Sequence, residues 1–444
     1  MDDSHCNYLS RYDAASEADK WPLVKGWISK EPLPFFRELR TKRPILVTPA
    51  CTLVTRFDDV CEVLSLPTIF TVALYLPKMG NGIYLMAHDD DALHTREKSL
   101  MQTLLNRDDL PLVRAMVASI ADNILDRANK QFDVVGNFCR MVPATLVQDY
   151  FGLTGVDKHD LIEWSYWNQY DTFHNQPFDL IDAEKRREIA DRHDLTGQKL
   201  SKYITELIVR RLLLVELEKA NIVRTLWLKV RVWFSRLMGG KGEPLNDDMV
   251  TRMLRSSFPQ EVDFDIKRLG VNAGGLLIGA IETTSQAVAQ VLEYLLQHPE
   301  WLAKAKVAAA RSDPEAFDGI VWEALRFVPI APYLFRQASA DYTVGKGTEY
   351  ATPVRAGSYV LPVTQSAMFD SRAFDNPDEF VPERNWYHYF HFGFGSHECL
   401  GRYIGMVMIP EMVRQVVLRH GLQAQGTIDY KGGPFPEAYV LSWS

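Results

Sequence analysis

Long apolar runs are missing from this chain of 444 residues. No stretch of about 18 or more apolar residues occurs, so no membrane-spanning helix is expected. Basic excess is missing as well: a formal net charge of −8 gives no global electrostatic reason to expect nucleic acid as a partner. Cysteine is scarce. The five residues Cys6, Cys51, Cys61, Cys139 and Cys399 are odd in number and lack C-x-x-C spacing. That excludes a disulfide framework and a zinc module, and it points to a reducing compartment. The opening MDDSHCNYLSRYDAASEADKWP has no basic region ahead of an apolar stretch, so neither signal peptide nor membrane anchor is expected, and the location expected is cytoplasmic. Internal repeats, low-complexity tracts and clean linkers are absent too. What is present is the composition of a folded globular protein, 47% hydrophobic and 24% charged.

Along the chain, residues 1–20 read as a polar, loosely ordered segment and 21–444 as one domain. PILVTPACTLVTRF, from Pro44, suggests a hairpin broken at Pro-Ala, and Asp58 opens a short helix. Residues 66–92 read as an irregular loop. Helical periodicity runs from Leu93 to about Leu153 and again through 155–212, with a polar, aromatic-rich break at WNQYDTFHNQPFD. Further helices are expected at about 265–297 and 314–327, then short strands (YTV, YATPV, SYVLPV), a Pro/Asp-rich coil at 370–391, and a last helix after Cys399 with a bend at Pro410. The fold class is mainly α with a smaller β-rich region drawn from both ends.

The segment Phe392-Gly-Phe-Gly-Ser-His-Glu-Cys399-Leu-Gly-Arg402 carries chemistry. Glycines at 393, 395 and 401 let backbone lie flat against a planar ligand, where a Cβ would collide. Cys399 precedes a helix, whose free N–H groups stabilise a thiolate. An isolated cysteine in a glycine loop is more often structural; the three constellations below change that balance. The loop resembles the haem-binding signature of the cytochromes P450. The resemblance implies the P450 fold, with haem b between an I-like and an L-like helix and Cys399 as axial thiolate. It also implies Phe392 beside the sulfur, Gly401 against the ring, and His397 at a propionate. Glu398 is an unusual neighbour for that cysteine.

Glu323-Ala-Leu-Arg326 places an acid and a base on one helix face. It resembles the P450 K-helix motif, with Arg384 in FVPER as third member of a structural network. Gly279-Ala-Ile-Glu-Thr-Thr284 puts an acid and two threonines in an apolar helix, a poor choice for packing alone. By resemblance Gly279 and Ala280 leave room over the iron. Thr283 donates a hydrogen bond on its oxygen side, and Glu282 relays protons. Propionates need cations. His94-Thr-Arg96-Glu-Lys98 resembles the C-helix motif with Lys98 for the usual second arginine, and Arg336 matches a β-region arginine; these are the remaining propionate candidates. Tyr84, Leu276, Ile330, Tyr333, Leu334 and Tyr439, with Gly279 and Ala280, are the implied substrate-pocket residues.

The implied activity is a monooxygenase that inserts one atom of O2 into an apolar molecule. Electrons would come from a separate ferredoxin and ferredoxin reductase, drawn to Arg96, Lys98 and Arg402. A peroxygenase or redox-neutral enzyme is the alternative, and a thiolate-haem sensor a further one; the Glu282-Thr283 pair argues for oxygen activation. One stretch falls outside the resemblance. Residues 212–241 form a basic amphipathic insertion within a segment, 199–241, that holds ten Lys/Arg against three Glu. It suits an extended helix pair on the body, a peripheral contact with an anionic membrane surface, or an oligomer interface.

Overall fold

Packing overrides polarity at the N-terminal end. The computed structural model describes residues 7–80, 82–128, 131–220, 247–256 and 264–444. It opens with three helices, α1 (Tyr8–Ala14), α2 (Glu17–Lys30) and α3 (Pro32–Lys42). The loosely ordered segment expected up to residue 20 is therefore ordered from Tyr8. Tyr8, Leu9 and Tyr12 form one apolar helix face, buried on Trp27, Phe35 and Phe36, while the polar residues between them look outward.

The hairpin forms as the pattern predicts: β1 (Ile45–Val47) pairs antiparallel with β2 (Thr52–Val54), Ile45 opposite Val54. Distant chain then joins it. The five-stranded sheet has the order β1-β2-β8-β5-β3, built with β3 (Phe70–Thr71), β5 (Arg336–Ala338) and β8 (Tyr359–Pro362). The remaining strands are β4 (Gln131–Asp133), β9 (Gln423–Ala424) and β10 (Val440–Ser442) in one small sheet, and the pair β6 (Tyr342–Val344) and β7 (Thr352–Val354). Residues 66–92 are irregular apart from β3 and two 3-10 turns.

The helical body runs from α4 (Phe57–Ser65) through α5 (Ala92–Leu104), α6 (Leu110–Asp126), α7 (Met141–Asp149), α8 (Lys158–His174), α9 (Ala183–Ala220) and α10 (Met249–Arg255). Helix α8 continues through most of the expected break. Its polar residues are satisfied partly within the helix, as where Asn168 Nδ2 donates to the Trp164 carbonyl at 2.8 Å, and partly by other elements, as where Asp171 accepts from Lys78 at 2.9 Å. Residues 212–220 continue α9, and 221–246, the bulk of the basic insertion, lie outside the described residues.

The second half holds α11 (Ile266–Ala280), α12 (Glu282–Gln297), α13 (Pro299–Ala309), α14 (Glu315–Phe327), the short α15 (Thr364–Ala367) and α16 (Arg402–Val417). Helix α16 packs on α6 and α12, and Val113, Val117, Val291, Met412 and Val416 are fully buried in the main core. It stays helical through Pro410.

One buried charge cluster ties the coil before Cys399 to α14. Arg326 pairs with both carboxylate oxygens of Glu323, at 2.7 and 2.9 Å, and neither residue is exposed. Arg384 adds a bond to Glu323 at 3.0 Å, Tyr389 Oη donates at 2.7 Å, and the Val381 amide donates at 2.9 Å. The remaining guanidinium donors of Arg326 reach the carbonyls of Met368, Pro377 and Glu379. Every charged group here is hydrogen-bonded, the condition under which a buried ion cluster is tolerated. Glu323→Ala leaves two cations buried without their counter-ion, so a loss of about 3–5 kcal/mol is expected, read as a lowered urea midpoint with the slope unchanged.

Candidate active site

The cysteine loop is shaped by two left-handed glycines, Gly393 at φ +76° and Gly395 at φ +74°. A Cβ on Gly395 would stand 2.7 Å from the Leu64 carbonyl, so this glycine fits the loop to α4 and not to a ligand. Gly393 and Gly401 do line the central cavity. The Cys399 amide donates to the Phe392 carbonyl at 2.8 Å, which turns the sulfur toward the cavity just ahead of α16. Burial pushes the Cys399 thiol up, while the Gly401 N–H and the Lys98 ammonium pull it down. The Phe392 ring lies over Gly405, where a Cβ would approach it to 2.7 Å.

Four predicted cationic side chains gather near this loop in two groups. Arg336 and His397 line the cavity. Arg336 is buried, donates only to the Phe335 carbonyl at 2.9 Å, and has no carboxylate partner among the described residues. Neither ring nitrogen of His397 has a hydrogen-bond partner of normal geometry, and burial together with the Arg336 charge lowers its pKa to about 3. His94 and Lys98 stand behind the loop. His94 Nδ1 faces the Leu85 carbonyl at 2.8 Å and Nε2 the Ser396 carbonyl at 3.1 Å. Lys98 donates to the carbonyls of Ser396 and Glu398, the latter at 2.6 Å. Lys98 is buried and so offers no surface charge to a redox partner, and Arg402 is paired with Glu398. Lys98 thereby departs from the docking role expected of it.

Across the cavity, the long helix expected at 265–297 is interrupted at Ile281, between α11 and α12. None of the ladder bonds that would join the carbonyls of Ile278, Gly279 and Ala280 to the amides of Glu282, Thr283 and Thr284 is made. Side chains take their places. Thr283 Oγ1 donates to the Gly279 carbonyl at 2.7 Å. The Ile278 carbonyl accepts from Gln169 Nε2 at 2.6 Å and Ser165 Oγ at 3.2 Å, both from α8.

Thr283 lines the cavity, and Glu282 points away from it into the body. Glu282 Oε1 accepts from Arg140 Nε at 2.8 Å, and Arg140 also donates to Glu437 at 3.1 Å. Oε2 of Glu282 is buried without a partner. Burial outweighs the Arg140 charge and raises the Glu282 pKa from 4.5 to about 7. A direct contact between Glu282 and solvent, the simplest form of the expected relay, is absent. Ion pairs connect Glu282 through Arg140 to Glu437.

The cavity measures about 1110 Å³, beyond the roughly 300–1,000 Å³ of a single-ligand cleft. Tyr84, Leu276, Gly279, Ala280, Ile330 and Leu334 line it as expected. Tyr333 and Tyr439 do not. The Tyr333 hydroxyl is drawn outward to Lys25 Nζ at 2.6 Å, beside the Lys25–Asp179 ion pair. Tyr439 is 2% exposed in the core next to β10, its carbonyl accepting from Val134.

A sequence profile of the family described as Cytochrome P450 matches residues 67–429. The chain belongs to the cytochrome P450 family. It is 26% identical over 385 residues to "Cyclomarin C epoxidase CymV" of Salinispora arenicola, covering 83% of each chain. It is 23% identical over 397 residues to a steroid C26-monooxygenase of Mycolicibacterium smegmatis, covering 86% of this chain and 84% of that one. Among solved structures, CalO2 superposes with a TM-score of 0.73 at 19% identity, over 94% of this chain and 97% of the other. CYP109Q5 of Chondromyces apiculatus gives 0.71 at 20% identity, over 94% and 96%. These structural likenesses establish the fold.

This P450 is therefore a monooxygenase that carries haem b on a cysteine thiolate. Its own residues fit that group. The cavity joins a sulfur at a helix start with a buried guanidinium and a histidine that, among the described residues, have no anion and no hydrogen-bond partner of normal geometry on the ring, respectively. A flat ring with carboxylate tails supplies what each lacks. No helix among the described residues is long and apolar enough to cross a membrane. Arg140, Ser165 and Gln169 had no sequence signal. Arg140 ends a π-helical turn (Val135–Cys139) that nothing in VVGNFCR announces.

The shift at Glu282 has a consequence for stability. The unfolded chain ionises this carboxyl near 4.5 while the folded chain keeps it protonated up to about 7. Folding is thus progressively penalised as pH rises between those values, and the penalty is constant above them. Comparing urea unfolding of wild type and Glu282→Gln at pH 4 and pH 8 should show wild type losing up to about 3 kcal/mol relative to the variant.

Proposed function

We propose that this P450 inserts one oxygen atom from O2 into a C–H or C=C bond of an apolar organic molecule, using electrons delivered by separate ferredoxin-type proteins. The observation that carries the reading is the open turn at Ile281 facing Cys399 across one apolar cavity. Haem bound there supplies dioxygen reduction and oxygen insertion when a thiolate is its axial ligand.

Cys399 would hold the haem iron through its thiolate, with Phe392 shielding the sulfur and Gly401 donating an N–H to it. Arg336 would pair with a propionate and His397 would donate a hydrogen bond to one, which would satisfy their buried polar groups. His94 and Lys98 brace the Ser396–Glu398 backbone. Leu276, Gly279, Ala280, Ile330, Leu334 and Tyr84 shape the substrate's apolar end. Thr283 holds a proton at Oγ1, aimed at the Gly279 carbonyl in this state and able to rotate about χ1 to a donor position over the cavity. Glu282 holds a carboxyl proton near neutrality, and Arg140 with Glu437 links it to the surface.

The part of the cavity lined by α8 and α9 carries polar groups. Asn168, Thr172, His193 and Gln198 line it together with Lys78, which pairs with Asp171 at 2.9 Å. That favours a molecule with an apolar end at the reacting centre and hydrogen-bonding groups at the other. The cytoplasmic location remains part of the proposal.

Two measurements test this reading. The reduced, haem-loaded protein should show the red-shifted carbon monoxide band of thiolate ligation, and Cys399→His should lose it while retaining haem. Product formation with NAD(P)H, ferredoxin reductase and ferredoxin should exceed that with hydrogen peroxide alone by at least about tenfold. Efficient turnover on peroxide alone would replace this assignment with a peroxygenase.

A further inference from the structure

The geometry points to Gln169 as a positioning residue that ties the cavity's ceiling helix, α8, to the open turn at Ile281. This rests on the monooxygenase reading and adds to it a residue on another helix. An opened helical turn leaves strong acceptors without partners, and a buried unpaired carbonyl is costly enough to close the turn again. Here the Ile278 carbonyl stays out of the ladder because Gln169 Nε2 occupies it at 2.6 Å, with Ser165 Oγ at 3.2 Å behind. Gln169 is 2% exposed and Ser165 fully buried, so packing holds both donors against that acceptor.

The same side chain belongs to the ligand space. Gln169 lines the cavity beside Asn168, Thr172 and Phe173. Its Oε1 accepts no bond from the described residues, since the Ile278 contact uses only the amide nitrogen. A hydroxyl or amide N–H on a bound molecule would find its acceptor on the side chain whose other end props the turn open. Occupancy of the ceiling is thus felt at Thr283, whose hydroxyl sits one residue along from the Ile278 carbonyl on the same opened turn.

The test uses haem-loaded full-length protein with Gln169→Met, which keeps the bulk and removes the donor. Without Gln169 the Ile278 carbonyl recaptures the Glu282 amide, and hydrogen exchange at Glu282, Thr283 and Thr284 is expected to slow by about tenfold. Hydrogen peroxide released per NAD(P)H consumed is expected to rise by about threefold as Thr283 moves. Should Gln169→Met fail to bind haem, Gln169→Asn, whose amide falls one methylene short, must give the same slowing. Exchange within about twofold of wild type in a haem-loaded variant overturns the inference. A wild-type protein without the red-shifted carbon monoxide band overturns instead the reading on which it rests.

Discussion

Glu323 is the carboxylate on which the site's geometry depends. Fully buried, it is acceptable only because two guanidinium groups, a tyrosine hydroxyl and a backbone amide saturate its two oxygens. Those donors come from α14 itself and from coil between residues 381 and 389, so satisfying one charge fixes where irregular chain must run. That chain leads directly into the loop bearing Cys399. A segment with little regular hydrogen bonding thereby acquires the rigidity that helices provide elsewhere. Lys98 and His94 act on the same loop from α5 by binding its carbonyls.

The opposite wall follows the reverse logic. Where the cysteine loop is irregular chain made rigid, the α11–α12 junction is regular chain made irregular. Three helical bonds are given up, and side chains of Thr283, Gln169 and Ser165 donate to two of the exposed carbonyls, those of Gly279 and Ile278. Two differently built walls confront each other across one cavity, each held by donors from elsewhere in the sequence.

Much of this was legible from residues alone. The glycines around Cys399, the E-x-x-R pair with Arg384, and the acid-threonine step all lie in local patterns, and the structure brings their members to one region. The hairpin at Ile45–Val54 and the helices at α11, α12 and α14 followed from periodicity. What escaped was long-range. The burial of Tyr8 and Tyr12 depends on α2 and α3, and the diversion of Tyr333 depends on Lys25, 308 positions away in sequence. The division of Arg336, His397, His94 and Lys98 into two that face the cavity and two that brace the loop is a matter of side-chain direction, which spacing does not encode. Arg140, Ser165 and Gln169 act through partners more than a hundred residues away.

The π-helical turn at Val135–Cys139 has one consequence beyond aiming Arg140. A π turn is a regular helix carrying one surplus residue, so it stores a register. Removing a single residue from it would turn the guanidinium by about 100° about the helix axis relative to β4, the strand that precedes it. Arg140 would then leave both Glu282 and Glu437, although every residue of that network was still present. The acid's environment is therefore specified as much by a count of residues as by their identities.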